Sequence, residues 1–228
     1  AKAVVRSGTL APALAGGTVD ADLAVIGAGP AGLAAAASAA AAGCRVALID
    51  AYPRLGGQYY KQLPVEFGAR APGSLHHDLA MAEHLFDRLA RSPNVRLLPD
   101  TTVWTAQPPQ ADDGAFSLYL SGPVGAGVAH ARRVVLASGA IERALPFPGW
   151  DLPGVITAGA AQTLVKSQRV LPGQRVLLSG SGPFLLPVAA GLVEAGATVV
   201  AVCEATAPWR WGRYAPNAWG HWEKLAEG

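Results

Sequence analysis

A glycine-rich turn, set between a short apolar run and a long alanine-rich run, is the feature that most constrains how this chain folds. Leu23–Ile26 is apolar and uninterrupted, which is typical of a buried parallel strand. Ala31–Ala42 predicts a helix, which Gly43 would end. Arg45–Asp50 is a second, mostly apolar run of strand length. The sequence therefore predicts a strand, a helix and a second parallel strand, which together form one βαβ unit.

The turn has the glycine spacing that dinucleotide-binding proteins use. It reads Gly27-Ala28-Gly29-Pro30-Ala31-Gly32. The first glycine permits a tight turn, the second lets the backbone approach a pyrophosphate, and the third lets the helix pack against the strand. Asp50 ends the following strand, where a carboxylate can accept hydrogen bonds from a ribose. A glycine-rich turn without a ligand is the alternative interpretation.

Two further stretches favour FAD at this turn. Gly56-Gly57-Gln58 resembles the flavin-contacting loop of the thioredoxin-reductase-like flavoproteins, and the stretch from Val134 to Gly139 resembles the motif that closes their FAD domain. Ser138 stands where those proteins usually have threonine, which keeps the hydroxyl. In this order, the motifs predict an α/β chain with a Rossmann-like FAD-binding domain built on a parallel sheet. The residues expected to bind FAD are Gly27, Ala28, Gly29, Pro30, Ala31, Gly32, Asp50, Ala51, Arg54, Gly57, Gln58, Val103, Ala137, Ser138 and Gly139.

A second glycine turn predicts a second, partial Rossmann-like nucleotide-binding domain. Strands are expected over Arg175–Ser179 and Thr198–Cys203, with a helix over Phe184–Glu194 between them. Leu185 replaces the third glycine and would hold this helix away from its strand. Pro187 indicates a kinked first turn or a late helix start.

The ligand of the second turn stays open. Glu204 ends the last strand and is placed to bind a ribose 2′-hydroxyl, which would favour NAD over NADP. One interpretation is a site for NAD or another adenine nucleotide, and the other is a structural unit that has lost its ligand. The residues expected to form such a site are Gly180, Ser181, Gly182, Pro183 and Glu204.

The rest of the chain is predicted as connecting structure between these units. Further helices are expected over Ser74–Arg91 and Ala158–Gln168, and further strands over Val95–Leu98, Thr101–Gln107, Phe116–Leu120 and Val128–Leu136. Residues 1–20 predict an irregular lead-in, residues 51–73 a long loop, and Asp112-Asp113-Gly114 a hairpin turn. Leu145–Pro153 reads as a linker, so the predicted domains are residues 1–145 and 146–228.

Composition and charge exclude several classes of protein. A formal net charge of +2, without a long basic run, argues against a nucleic-acid or anionic-membrane partner. Leu23–Cys44 carries no charged residue, but its glycine-proline turn argues against a membrane span. Cys44 and Cys203 lie far apart without a CxxC pair, which favours free thiols, a reducing cytoplasm and no metal site.

The order of the motifs resembles one branch of two-dinucleotide flavoproteins, the large subunits of opine oxidases, hydrogen cyanide synthase and heteromeric sarcosine or proline dehydrogenases. The residues that carry this resemblance are Gly56–Lys61, Ala137–Arg143, Phe147–Val155 and Lys166–Gln168. It implies FAD in the first domain, a nucleotide site in the second, and a catalytic flavoprotein partner subunit that oxidises an amino acid. Members of the branch are longer, so this chain is expected to be a truncated copy or a fragment.

The tryptophans near the end of the chain bear on the expectation that it is a truncated copy or a fragment. Trp209, Trp211, Trp219 and Trp222 fall within the last 20 residues. So much aromatic surface predicts a covering partner or further chain, or local packing on the second domain.

The leading functional hypothesis is an FAD-dependent oxidoreductase that forms part of an amine or amino-acid dehydrogenase or oxidase. One alternative is a stand-alone NAD(P)H-dependent flavin reductase, and the other is a non-enzymatic nucleotide-binding assembly subunit. The five histidines, His76, His77, His84, His130 and His221, lack a motif, so no catalytic residue is predicted. Tyr60 and Lys61 follow the glycine loop and are expected to tune the flavin.

Overall fold

A computed structural model describes residues 17–62, 79–110, 114–123 and 125–207. Their contacts divide the chain after Ala140 into a first unit and, from Ile141, a second unit. The domain boundary expected after residue 145 stays a prediction. Ser74, His76 and His77, the hairpin residues Asp112 and Asp113, and the tail with Trp209, Trp211, Trp219, His221 and Trp222 lie outside the described residues.

The first unit is an α/β structure with a six-stranded, mostly parallel sheet. Its strands are β1 (Thr18–Ile26), β2 (Val46–Ile49), β3 (Val95–Leu98), β4 (Thr102–Gln107), β5 (Phe116–Gly122) and β6 (Gly125–Leu136), and its helices are α1 (Pro30–Ala41) and α2 (Leu79–Arg91). The strand order is β3-β2-β1-β6-β5-β4. The four strands from β3 to β6 in that order run parallel, while β5 and β4 are antiparallel to their neighbours. The predicted α/β fold class is confirmed.

The two central strands carry core side chains on both faces. Val25 and Leu48 pack on the face that α1 and α2 cover, together with Leu33 and Phe86 from those helices. The opposite face packs against the strands of the antiparallel part, with Ile49 among its buried residues. Since a parallel strand buried on both faces must be apolar throughout, this explains why β2 reads as an uninterrupted apolar run.

The first strand is longer than the sequence predicts. It begins at Thr18, inside the stretch expected to be an irregular lead-in, because Thr18 pairs with Val128 of β6. Val19 and Ala21 point into the core while Asp20 stays exposed. This alternation of apolar and polar residues belongs to a strand with one solvated side, which a search for continuous apolar runs overlooks.

The second unit contains the second predicted βαβ unit. Its elements are α3 (Ala158–Thr163), β7 (Arg175–Gly180), α4 (Leu185–Glu194) and β8 (Thr198–Glu204). β7 and β8 pair in parallel, and a small core of Leu178, Val188, Leu192 and Ala197 joins them to α4. No helix among the described residues has the length and apolar character to cross a membrane.

The helix predicted over Ala158–Gln168 is present, but it changes from α to π in its second half. The α-helix ends at Thr163, and Leu164–Gln168 winds as a π-helical turn that Arg169 closes with a φ of 55°. The hydroxyl of Ser167 donates to the carbonyl of Thr163 at 2.7 Å. Since an α-helix would use that carbonyl for the N–H of the same residue, the side chain competes with helical bonding.

An ion pair ties the start of the first βαβ unit together. Arg45 donates to the Asp22 carboxylate from Nη2 at 3.0 Å and from its backbone N–H at 2.9 Å. Asp22 returns a backbone bond to the carbonyl of Arg45 at 2.9 Å. The Arg45 side chain, and secondly its backbone N–H, lower the pKa of Asp22 to about 2.

We expect Arg45→Gln to raise the Asp22 pKa part of the way back to 3.8, because the backbone N–H still donates. Since folding lowers this pKa, the stabilising contribution is present above about pH 3.8 and is lost as pH falls toward 2. NMR titration of the carboxyl carbon measures the pKa directly. Arg91→Gln, which removes the cation of the separate Asp87–Arg91 pair, is the control. An Asp22 pKa that stays near 2 in Arg45→Gln contradicts this account.

Candidate dinucleotide site

Two glycines of the first turn are required by the packing of the chain itself. Gly27 has a φ of +103°, and a Cβ there would overlap the carbonyl of Ala137. A Cβ on Gly32 would overlap the carbonyl of Gly27. These glycines let α1 start close against β1 and β6, as the spacing predicts.

Gly29 differs from both, because the protein supplies no steric reason for a glycine there. Its φ is −73°, which any residue adopts, and it precedes the first residue of α1. A Cβ built on Gly29 would approach only the Cα of Gly57, at 3.9 Å. The space beside Gly29 is therefore free of side chains, although the packing of the protein does not require a glycine there.

Backbone N–H groups at the start of α1 face this space without partners. Within the described residues, the N–H groups of Gly29, Ala31 and Gly32 donate to no acceptor of the chain. Pro30 has no N–H, and no side chain caps the helix. The first intrahelical bond runs from Leu33 to the carbonyl of Gly29 at 2.9 Å. Free amides together with the positive end of a helix dipole are the features that anion-binding turns use.

Asp50 lies at the carboxyl end of β2, where the sequence predicts a ribose ligand. Its carboxylate is 7% exposed and accepts hydrogen bonds from the N–H groups of Ala28 and, at 2.7 Å, Tyr52. Each carboxylate oxygen keeps further lone pairs that can accept from ribose hydroxyls. Asp50 therefore shapes the turn in addition to facing the site.

The loop after Asp50 is fastened to the glycine turn by backbone contacts. The N–H of Gly56 donates to the carbonyl of Ala28 at 2.8 Å. Gly57 has a φ of +60°, and a Cβ there would come within 2.8 Å of the Cα of Gly29. The predicted cofactor residues Ala51, Arg54 and Gln58 are exposed in this loop.

Tyr60 and Lys61 occupy different surroundings. Tyr60 is 8% exposed and packs in the core beneath the turn, with its ring 5.0 Å from that of Tyr59. This position favours a packing role for Tyr60 over the predicted flavin-tuning role. The ammonium of Lys61 lies 4.0 Å from the ring centroid of Tyr52, which is a cation–π contact. Tyr52 is the residue whose N–H donates to Asp50.

The remaining predicted FAD residues follow β6 or lie in β4. Ala137 donates its N–H to the carbonyl of Ile26 at 2.8 Å, which places it directly beside the turn. Ser138 and Gly139 are exposed immediately after it, and Gly139 has a φ of +75°. Val103 is half-buried in β4 and packs against the core that contains Ile49.

Thr101 is a buried neighbour of Asp50 that the sequence does not reveal. It is 2% exposed, and its N–H donates to the carbonyl of Asp50 at 2.8 Å. Asp100, with a φ of 52°, likewise donates to the carbonyl of Tyr52 at 3.0 Å. The segment that follows β3 therefore holds the backbone on both sides of the Asp50 carboxylate in place. No motif in the sequence marks this segment.

The second glycine turn is built differently from the first. Glu204 accepts from the N–H groups of Gly182 at 2.9 Å and Thr206 at 2.7 Å, while the hydroxyls of Ser181 and Thr206 lie 2.9 Å apart. The Thr206 N–H is the main cause that holds the pKa of Glu204 below its usual range. Gly180 ends β7, and Pro183 is exposed in the turn.

The helix of this turn starts late, as Pro187 predicts. It begins at Leu185, so Pro187 lies in the first turn, where a missing N–H breaks no helical bond. Leu185 is buried, and its side chain lies 3.4 Å from where a Cβ on Gly180 would be. The leucine thus fills the space over Gly180 that a glycine would leave open.

We expect Gly32→Ala to destabilise the chain by roughly 1–3 kcal/mol, because the new methyl group overlaps the Gly27 carbonyl. Gly29→Ala is the matched variant and should cost less than about 1 kcal/mol, since its methyl group meets no protein atom closely. Urea unfolding followed by circular dichroism measures both. Equal losses in the two variants would show that the steric assignment is wrong.

Comparison with known proteins agrees with this architecture. The family model described as pyridine nucleotide-disulphide oxidoreductase matches residues 21–218. An opine oxidase subunit from Agrobacterium tumefaciens (strain Ach5) is 41% identical over 83% of the chain and 38% of its own length. Hydrogen cyanide synthase subunit HcnB of Pseudomonas protegens (strain DSM 19095 / LMG 27888 / CFBP 6595 / CHA0) is 35% identical over 80% of the chain and 38% of its own length.

A solved structure also resembles this chain. L-proline dehydrogenase from P. horikoshii matches with a TM-score of 0.65 and 27% identity, over 82% of this chain and 36% of that one. This chain thus spans less than two fifths of the length of these relatives. The predicted resemblance is confirmed, and these relationships support FAD as the cofactor. The chain belongs to the pyridine nucleotide-disulphide oxidoreductase family, among FAD-dependent oxidoreductases of Rossmann fold.

Proposed function

We propose that the first unit binds the ADP portion of FAD. The free N–H groups of Gly29, Ala31 and Gly32 would hold the pyrophosphate, and Asp50 would accept from the adenosine ribose. The observation that carries this proposal is Gly29, which leaves open space beside three free amides although the protein has no steric need for a glycine there.

The residues around the turn fit this group in chemistry as well as in space. Pyrophosphate is an anion that needs donors, and the turn offers donors without side chains in the way. Bound FAD would supply the electron-transfer chemistry, while the chain supplies binding and orientation. The residues proposed to contribute are Gly27–Gly32, Asp50, Ala51, Arg54, Gly57, Gln58, Val103 and Ala137–Gly139.

We further propose that the chain belongs to a heteromeric amine or amino-acid dehydrogenase or oxidase of opine, sarcosine or proline type. Its relatives carry these substrates in their names, and the oxidases among them are subunits, which supports a catalytic partner subunit. The substrate-oxidising site is proposed to lie in that partner subunit. The free cysteines Cys44 and Cys203 support a cytoplasmic location, where thiols stay reduced.

Gly29→Ala should weaken FAD binding at least about tenfold, which corresponds to about 1.4 kcal/mol, because its methyl group intrudes where the pyrophosphate is proposed to lie. Flavin fluorescence quenching on titration with FAD measures the affinity. Asp50→Ala should also weaken binding, but it removes the acceptor for Ala28 and Tyr52 and therefore disturbs the fold as well. Gly29→Ala is thus the cleaner variant.

Gly191→Ala provides the control for this experiment. Gly191 lies in α4 of the second unit, and a Cβ there meets nothing within 4 Å, so the variant should fold at least as well as the parent. Its FAD affinity should equal that of the parent. If Gly29→Ala binds FAD as tightly as Gly191→Ala does, the pyrophosphate does not lie at this turn.

A separate measurement distinguishes a subunit from a stand-alone flavin reductase. We expect the purified, FAD-loaded chain to oxidise NADH with a turnover number well below ~1 s⁻¹, the lower end of typical kcat values. The absorbance of NADH at steady state reports the rate. Rapid turnover without a partner would contradict the subunit proposal, while a protein that cannot be reconstituted with FAD would favour a non-enzymatic assembly role.

A further inference from the structure

The family description names pyridine nucleotides, and the chain carries a second glycine turn at which such a cofactor would be expected. We propose that this turn, unlike the first, does not bind the pyrophosphate of NAD or NADP, and that the second βαβ unit is structural. The inference goes beyond the proposed FAD site and does not depend on it. It rests on where the backbone N–H groups of each turn donate.

The two turns align residue by residue in the sequence but not in their hydrogen bonds. In the first turn, the N–H groups at the third, fifth and sixth positions, Gly29, Ala31 and Gly32, donate to no acceptor of the chain within the described residues. In the second turn, the third position is Gly182, and its N–H donates to the Glu204 carboxylate at 2.9 Å. The donor that would approach a pyrophosphate most closely is therefore already satisfied.

The sixth position is satisfied in a similar way. The N–H of Leu185 donates to the carbonyl of Gly182 at 3.4 Å, and that of Leu186 donates to the carbonyl of Pro183 at 3.2 Å. Of the same three positions, only the fifth, Phe184, has an N–H without an acceptor in the part of the chain that the structure describes. One free amide at these three positions replaces the three of the first turn, so the second turn does not repeat the donor set that the first turn offers.

The partner of Gly182 changes the electrostatics at the same point. Glu204 carries a negative charge, and its pKa is held below the usual range by the donors it accepts, so it stays ionised at neutral pH. An anion held against the Gly182 amide would meet this carboxylate, which repels a phosphate. In the first turn, Asp50 instead accepts from Ala28, one position earlier, and leaves the Gly29 amide free.

Side-chain packing holds the second turn in this form. Leu185 is buried over Gly180, where the first turn has the bare glycine Gly32. α4 accordingly begins at the sixth motif position, whereas α1 begins at the fourth, Pro30. The N-terminus of α4 therefore lies farther along the chain from the end of its strand than that of α1 does.

NADH is the probe for this proposal. We expect titration of the FAD-loaded chain with NADH, followed by NADH fluorescence, to show no saturable binding up to ~1 mM, the weak end of specific affinity. Glu204→Ala should bind no better, because Leu185 still fills the turn. Saturable binding that Glu204→Ala or Gly182→Ala weakens, and that Asp50→Ala leaves unchanged, would overturn the proposal.

Saturable binding to the chain prepared without FAD, if only Asp50→Ala weakens it, would place NADH at the first turn and support the proposal for the second. Amide hydrogen exchange on the unaltered chain gives a test that needs no variant. We expect the N–H groups of Gly182 and Leu185 to be protected without nucleotide and unchanged by NADH. New protection at Phe184 and its neighbours on adding NADH would contradict the proposal, whatever the FAD affinity of the first unit proves to be.

Discussion

The buried carboxylate of Asp50 is the interaction on which the first unit depends. It accepts from the turn through Ala28 and from its own loop through Tyr52, while the backbone of Asp50 is bonded to Leu98 and Thr101. Three separate stretches of chain thus meet at one residue. A buried carboxylate is stable only when donors satisfy it, and here backbone N–H groups supply them. The geometry of the glycine turn therefore follows from an acid more than twenty residues away as much as from the glycines.

In the second turn, the acid accepts from an N–H one motif position later than in the first turn, and this leaves a different set of N–H groups free. Asp50 bonds to the residue before the crucial glycine, and Glu204 bonds to that glycine itself. Similar letters in a sequence therefore do not guarantee a similar set of free donors. What a turn can bind depends on which N–H groups remain after the chain has satisfied its own carbonyls and carboxylates.

Much of this architecture can be predicted from the sequence, and the exceptions have physical causes. The order of strands and helices in both βαβ units follows from apolar runs between glycine turns, since buried parallel strands tolerate few polar residues. The early start of β1 is missed because Val19 and Ala21 alternate with polar residues. The π-helical turn is missed because the bond from the hydroxyl of Ser167 to the carbonyl of Thr163 leaves no periodic signal. Thr101 and the burial of Tyr60 depend on tertiary contacts between distant segments, which local patterns do not encode.

The attachment of the loop after Asp50 has a consequence for the kinetics of ligand capture. Gly56 bonds to Ala28, and the backbones of Gly57 and Gly29 approach closely, so the chain's own contacts hold the loop against the turn. A loop held by such contacts loses little conformational entropy when a ligand associates. If FAD binds at this turn as proposed, differences in affinity among variants would lie chiefly in its rate of dissociation.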